Sequence, residues 1–124
     1  MRGPLLRSVV AITACAALVG VGAASAGGAA DTRVTIKGPN GDFHGKIKSA
    51  KSKCLGGRKV TVYRLVGNGY DPENDERIAS DTSERQGDVG KWSVGNTGET
   101  DGAFYALATR SQGCKSAVSK PIVL

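Results

Sequence analysis

A length of 124 residues suits one domain, and the chain contains neither a repeat nor a proline-rich linker. The formal net charge of +6, from 17 basic and 11 acidic residues, is compatible with an anionic partner. A single histidine and scattered acidic residues argue against an enzyme, because catalysis needs titratable groups that converge in one cleft.

The first 26 residues have the pattern of a secretory signal peptide. Arg2 and Arg7 give a positively charged start, residues 8–21 are uncharged and mostly apolar, and residues 24–26 (Ala-Ser-Ala) offer a small-x-small cleavage site. Cleavage after residue 26 is predicted, with Ala30 as the next candidate. Because the apolar stretch is shorter than the about 20 residues that span a membrane, a retained anchor is the less favoured alternative.

Cys15 allows a second interpretation of the same segment. Residues 12–15 (Ile-Thr-Ala-Cys) resemble a bacterial lipobox, which would make Cys15 the lipidated first residue of a lipoprotein at the cell envelope. The residues after Cys15 are apolar, whereas a lipoprotein tether is usually polar. We therefore expect a secreted, extracellular protein that does not span a membrane after processing, with the lipid-anchored form as the alternative.

The mature chain begins with a short flexible segment, residues 27–31, and continues as one domain over residues 32–124. Period-two alternation between turn signals predicts seven short strands, at residues 33–37, 43–48, 59–64, 77–80, 91–94, 103–109 and 117–124. The first two strands form a hairpin around the turn residues 38–42. Pro121 in the last strand indicates an edge position, because proline cannot donate to a sheet ladder.

No segment shows a helical period, so the predicted fold is an all-β, seven-stranded antiparallel sandwich. The residues expected in its core are Ile36, Val60, Val62, Trp92, Tyr105 and Leu107. For Trp92, a surface position as a sugar-stacking platform is the alternative.

Cys54 and Cys114 are the two cysteines that remain after cleavage. In an oxidising compartment an even number of cysteines predicts a disulfide. A bridge between them closes a loop of about 60 residues, which corresponds to about 4 kcal/mol in the chain-entropy model. Two thiolates and the distant His44 lack the ligand spacing of a zinc site, so we predict neither a metal nor a cofactor.

Charge is unevenly distributed along the mature chain, whose net charge without Arg2 and Arg7 is +4. Residues 33–64 contain nine basic residues and one acid, whereas residues 71–101 contain nine acids and three basic residues. The basic part provides a candidate patch for an anionic polymer: Lys46, Lys48, Lys51, Lys53, Arg58 and Lys59.

The predicted partners of this patch are an anionic cell-wall polymer, an acidic glycan, anionic lipid headgroups or another envelope protein. A nucleic acid is not expected, because the basic run has no interleaved aromatic residues and the protein is exported. The oligomeric state stays open, with self-assembly through the C-terminal edge strand as one hypothesis.

Two other segments were candidates for chemistry. The chain contains no nucleophile motif, such as Gly-x-Ser-x-Gly, that could act together with His44. We therefore expect His44 to be an ordinary exposed histidine. The acidic residues 71–76 do not fit an EF-hand, because its glycine and glutamate positions hold Glu76 and Thr82; a looser calcium site is the alternative to a solvated loop. Residues 66–76 are also the only segment long enough for a protease-inhibitor loop.

Four runs of residues resemble one family by their order and spacing. They are C-L-G-G-R-K-V-T-V-Y-R at residues 54–64, I-A-S-D-T at 78–82, D-V-G-K-W-S at 88–93 and G-A-F-Y-A at 102–106, with Cys114 before the closing strand. Together they resemble the transthyretin-like, carboxypeptidase-regulatory-like β-sandwich modules of secreted proteins, especially short exported modules of actinobacteria.

The resemblance extends over residues 32–124 and implies a seven-stranded, transthyretin-like or immunoglobulin-like sandwich. Such modules usually carry no catalytic residues, so it also implies a binding or structural role at the bacterial cell envelope or in the medium. No ligand or hydrolase residue of the larger relatives has a counterpart here. A small secreted enzyme or a protease inhibitor is the alternative function.

Overall fold

The computed structural model describes residues 28–124, which fold into short β-strands and two 3₁₀ turns, Pro39–Gly41 and Ser52–Cys54. The strands are β1 (Thr32–Val34), β2 (Asp42–Ser49), β3 (Lys59–Arg64), β4 (Glu76–Thr82), β5 (Glu84–Gln86), β6 (Val89–Asn96), β7 (Ala103–Ala108), β8 (Ala117–Val118) and β9 (Ile122–Val123). This part of the chain has no α-helix, and the all-β prediction is confirmed. The predicted signal peptide and Cys15 lie outside the described residues.

The strands form two antiparallel sheets. One has four strands in the order β1-β2-β6-β5, and the other has five, in the order β9-β7-β3-β4 with β8 also paired to β7. The chain passes between the sheets at Ser83, which is buried. The Ser83 hydroxyl donates to the Leu55 carbonyl at 2.8 Å and accepts from the Arg58 amide at 3.1 Å. The predicted two-sheet sandwich is therefore confirmed.

The strand count differs from the prediction at two places. Glu84–Gln86 forms β5, although residues 81–90 were expected to be a turn; all three side chains are exposed and polar, so no alternation marks the strand. The last strand divides into β8 and β9, because Ser119 turns inward to accept the Ala106 amide at 2.8 Å and Pro121 cannot donate. Both pieces pair with β7 at the edge of the five-stranded sheet, as expected.

The core lies between the inner faces of the two sheets. Phe43 of β2 packs on Phe104 of β7 with ring centroids 4.8 Å apart, and Trp92 is buried, as predicted. The buried members of this core are Val34, Ile36, Phe43, Ile47, Val60, Val62, Trp92, Phe104, Ala106 and Ala108.

Tyr105 and Leu107 were expected in this core, and that prediction is wrong. Phe104 and Ala106 occupy the inward positions of β7, so Tyr105 and Leu107 point to the outer face of the five-stranded sheet. The sequence could not separate the two faces, because β7 is apolar on both. Leu107 is half-buried, whereas Tyr105 is fully buried because the loop after β3 covers it.

Asp75 anchors this covering loop. Its carboxylate accepts the Tyr105 hydroxyl at 2.6 Å and the backbone amides of Val66 and Asp71 at 3.0 and 2.8 Å. Tyr70 meets the Tyr105 ring edge-on at 4.8 Å and donates its hydroxyl to the Ser119 carbonyl. The hydrogen bond from Tyr105 lowers the pKa of Asp75, while burial and the neighbouring carboxylate raise the pKa of Tyr105.

The Cys54–Cys114 disulfide predicted from the sequence is present, with Cα atoms 5.7 Å apart and both residues buried. It joins the turn before β3 to the loop after β7. Ala30 hydrogen-bonds through its backbone to Gly113 and Lys115 beside the bridge. Residues 30 and 31, expected to be flexible, are therefore tied to the disulfide loop, with Asp31 also paired to Lys115 at 3.1 Å.

Removing the bridge by Cys54→Ala together with Cys114→Ala should lower the free energy of unfolding substantially. The bridged residues are 60 positions apart, and closing a loop of this length contributes about 4 kcal/mol in the chain-entropy model. Urea denaturation followed by Trp92 fluorescence measures the difference. A reductant should destabilise the wild type by a similar amount and leave the double variant unchanged; equal stability of the oxidised and reduced wild type would contradict the expectation.

The Tyr105–Asp75 contact should make stability depend on alkaline pH. Because the folded-state pKa of Tyr105 is raised, its contribution is complete below the ordinary tyrosine pKa of about 10 and is lost as the pH rises above it. Tyr105→Phe should lower stability at pH 7 and flatten the loss between pH 8 and 11. Thermal melts over this range compare the two proteins, which share Tyr63 and Tyr70; parallel curves would show that Tyr105 does not titrate in this way.

Candidate functional site

The predicted anionic-polymer patch is divided by the fold. Lys46 and Lys48 point outward from β2 on the exposed face of the four-stranded sheet. Lys51 and Lys53 lie exposed at the 3₁₀ turn that leads to the disulfide, and Lys59 is exposed at the start of β3 in the other sheet. Only Lys46 and Lys48 therefore belong to one continuous exposed sheet face.

Arg58 does not belong to any surface patch, which corrects its assignment from the sequence. The residue is 1% exposed, and its guanidinium donates to Thr32 Oγ1 and to the carbonyls of Cys54, Thr109 and Lys115 at 2.8–3.1 Å. Burial lowers the pKa of Arg58 from its ordinary value. The side chain is a structural link between four chain segments and is not available to a ligand.

The exposed face of the four-stranded sheet instead gathers other cations around Lys46 and Lys48. The register places Arg33 directly opposite Lys48, and Lys46 directly opposite Lys91. Lys37 faces His44 across the same hairpin. We call Arg33, Lys37, Lys46, Lys48 and Lys91 the cationic face.

The cationic face brings like charges together, although Glu84 lies directly opposite Lys91 on β5. Residues directly opposite on antiparallel strands have Cβ atoms about 4.5–5.5 Å apart, and like charges there are destabilising. Within residues 28–124, none of the five members forms an ion pair with a carboxylate. By contrast, Arg64 at the opposite sheet is paired with Glu76, Glu99 and Asp101.

Two adjoining troughs run along this face. One has a volume of about 760 Å³ and lies between Lys37, Lys46 and Lys91; the other has a volume of about 850 Å³ and is bordered by Arg33. Lys46 and Lys48 line both, so the two depressions form a continuous surface. A long ligand could therefore contact all five cations.

Gly45 and Trp92 form the floor of the first trough. A Cβ atom at Gly45 would collide with the Thr35 carbonyl and lie 2.9 Å from Trp92 Nε1, so only glycine allows this close packing. Trp92 is 3% exposed, which places it in the core and not on the surface as a sugar platform. Its buried Nε1 donor has no acceptor among the described residues.

Carboxylates occur at the rim of the troughs. Asp81 borders the first trough but accepts the Ser93 amide at 2.8 Å, and Glu84 lies opposite Lys91 on β5. His44 is exposed, and its Nδ1 lies 3.0 Å from the Asp42 carbonyl oxygen. Within residues 28–124, no group of three or more His, Cys, Asp or Glu residues is placed to hold a metal ion.

The acidic segment 71–76 is not assembled as a site. Asp75 points into the protein and holds the loop, while the Asp71 carbonyl accepts the amides of Asn74 and Asp75 in a tight turn. The remaining acids of the segment are exposed. The one buried carboxylate of the segment, that of Asp75, fixes the covering loop and is not available to a ligand. The cationic face is therefore the stronger candidate site.

Comparisons with known proteins identify the fold but not a family. No protein-family model matches the chain, and no curated protein does. A crystal structure of an uncharacterized protein from Bacillus anthracis strain Ames is similar, with a TM-score of 0.51 and 16% sequence identity over 81% of this chain and 87% of that chain. At this identity the similarity shows a shared architecture alone. Among the described residues, no helix is long and apolar enough to cross a membrane.

Three members of the cationic face were not included in the patch predicted from the sequence: Arg33, Lys37 and Lys91. Arg33 and Lys37 occupy the polar positions of the first predicted strand, so the hairpin alone could have placed them beside Lys46 and Lys48. Lys91 is 43 residues beyond Lys48 in the chain, and only the pairing of β2 with β6 brings it to this face.

Arg58 and Lys59 provide a matched test of burial against exposure. Arg58→Gln should lower the free energy of unfolding by about 3 kcal/mol, because it leaves buried carbonyls without their donor. Lys59→Gln removes the same charge from an exposed neighbour and should change stability little. Urea denaturation of both variants measures this; similar effects would show that the Arg58 hydrogen bonds contribute no net stability.

Proposed function

We propose that this protein is a secreted, non-catalytic β-sandwich module of the transthyretin-like, carboxypeptidase-regulatory-like kind that binds an anionic polymer of the bacterial cell envelope. The binding site is the cationic face of the four-stranded sheet. The signal-peptide pattern of the first 26 residues supports export, and the buried Cys54–Cys114 bridge fits an oxidising compartment.

The observation that carries the proposal is the excess of positive charge on the cationic face. Lys46 and Lys91 face each other, and Glu84, the carboxylate opposite Lys91 on β5, is not within ion-pair distance of either lysine. Such an arrangement is unfavourable in the free protein. A bound polyanion would relieve the repulsion between the lysines. The free energy of that repulsion in the unbound protein would therefore contribute to the free energy of binding.

A catalytic role has less support from the geometry. His44 contacts a backbone carbonyl, and the buried titratable pair Asp75–Tyr105 belongs to the loop on the other sheet. General acid–base chemistry needs such groups within hydrogen-bond reach of one substrate position. The trough beside His44 has four lysine amines, which bind anions without further chemistry, and two carboxylates, Asp81 and Glu84.

The proposal predicts opposite effects of one double variant on binding and on stability. Lys46→Gln with Lys91→Gln should weaken binding to soluble polyanions about tenfold at low salt, because two counterion-releasing contacts are lost. The same variant should melt about 1–4 °C higher at low salt, because a repulsive cross-strand pair is removed. Both differences should shrink as salt is added.

Lys53→Gln with Lys59→Gln is the control, since it removes two exposed charges that do not border either trough. The probes are a glycerol-phosphate oligomer and an oligogalacturonate, titrated by calorimetry against the mature secreted protein. The control should bind like the wild type. Equal losses in both double variants, or no binding of either probe by the wild type at low salt, would contradict the proposed function.

A further inference from the structure

We infer that the cationic face recognises a linear polyphosphodiester with a short, flexible polyol repeat, of the glycerol-phosphate type, in preference to an acidic glycan. This inference rests on the proposed function and specifies the ligand of the same site. It is carried by the spacing of the cations and by the chemistry of the residues that line the troughs.

The cations repeat at a fixed interval along the strands. Exposed positions of a strand are two residues apart, so successive rows across the sheet are about 6.8 Å apart. Three consecutive rows carry positive charge: Arg33 with Lys48, then Lys46 with Lys91, then Lys37 beside His44. A polymer lying along β2 therefore meets cations at every row.

A glycerol-phosphate chain matches this interval. Six single bonds separate one phosphorus atom from the next, so the extended repeat is similar in length to the about 6.8 Å between rows. Rotation about those bonds lets successive phosphates adjust to the lysines. In a uronic-acid polymer the carboxylates are held by rigid rings of a different repeat, so consecutive charges fall out of step with the rows.

The residue types suit phosphate and offer no platform for a sugar ring. Four of the five members are lysines, and lysine binds phosphate as a compact point charge. The members and the rim residues of the troughs include no exposed Phe, Tyr or Trp ring on which a sugar could stack.

A lipid surface is less consistent with this face. Membrane attachment by charge usually adds apolar side chains that enter the interface. The exposed large hydrophobic residues of the described chain lie outside both troughs: Val66, Tyr70, Val118 and Val123. Anionic vesicles are therefore one arm of the test and not the proposed ligand.

Trp92 gives a direct signal for the experiment, because it is the only tryptophan of the chain and lines the first trough. The mature secreted protein is titrated with a synthetic glycerol-phosphate oligomer, an oligogalacturonate and single-stranded DNA of equal charge number, and with phosphatidylglycerol vesicles. Titration of each probe at several salt concentrations gives the number of charge contacts between the probe and the protein.

The glycerol-phosphate oligomer should bind at least about tenfold more tightly than the oligogalacturonate and the DNA and should change Trp92 fluorescence. The logarithm of its affinity should fall with the logarithm of salt concentration with a slope of about −3, and the slope should become shallower by about 0.7 for each lysine replaced by glutamine in the cationic face. Lys53→Gln with Lys59→Gln should keep the wild-type slope.

The outcomes separate the two levels of the hypothesis. One outcome is that oligogalacturonate, DNA or vesicles bind as tightly as the glycerol-phosphate oligomer or more tightly, and that only Lys46→Gln/Lys91→Gln lowers the affinity. This outcome would overturn the polyol-phosphate assignment and leave an anion-binding face. No binding of any probe at low salt would overturn both. Binding of the glycerol-phosphate oligomer that Lys46→Gln/Lys91→Gln does not weaken would place the site elsewhere and also overturn the inference.

Discussion

The buried guanidinium of Arg58 is the interaction on which the rest of this small domain depends. One side chain holds β1 of the four-stranded sheet through Thr32, the disulfide turn through Cys54, and the segments after β7 through Thr109 and Lys115. Burying a charge is costly unless its donors are matched. Here the two terminal nitrogens find four acceptors from distant segments, while Nε has no acceptor among the described residues, so the charge is tolerated only where those four acceptors are assembled.

One outer face of the sandwich is covered by a loop, and the other is open to solvent. The outer face of the five-stranded sheet carries Tyr63 and Tyr105 and is covered by a loop that Asp75 and Tyr70 fasten. The outer face of the four-stranded sheet carries lysines and stays open. Core packing, the disulfide and the Arg58 hydrogen bonds stabilise the domain against the repulsion on that open face, where Glu84 lies opposite Lys91.

Function in such a fold is determined by side chains at outward positions, not by the architecture. The similarity to the Bacillus anthracis protein covers most of both chains at 16% identity, which leaves the surface residues free to differ. The same sandwich can therefore present a cationic, acidic or neutral face without a change in its core. Lysines at alternate positions of β2 supply the charge, and pairing with β1 and β6 broadens it into a surface.

Local sequence patterns by themselves determined most of the strands and turns, the bridge between Cys54 and Cys114, and the buried position of Trp92, because period-two alternation and cysteine parity act over short stretches or through simple counting. The polar strand β5 has no such alternation and was not predicted. Only the tertiary structure decided which face of β7 is inner, that Arg58 is buried, and that Lys91 joins Lys46. Those features depend on contacts between residues far apart in the chain, and neither alternation nor composition encodes which strands become neighbours. A basic run in the sequence was consequently divided among four places, while the candidate site consists of cations from separate parts of the chain.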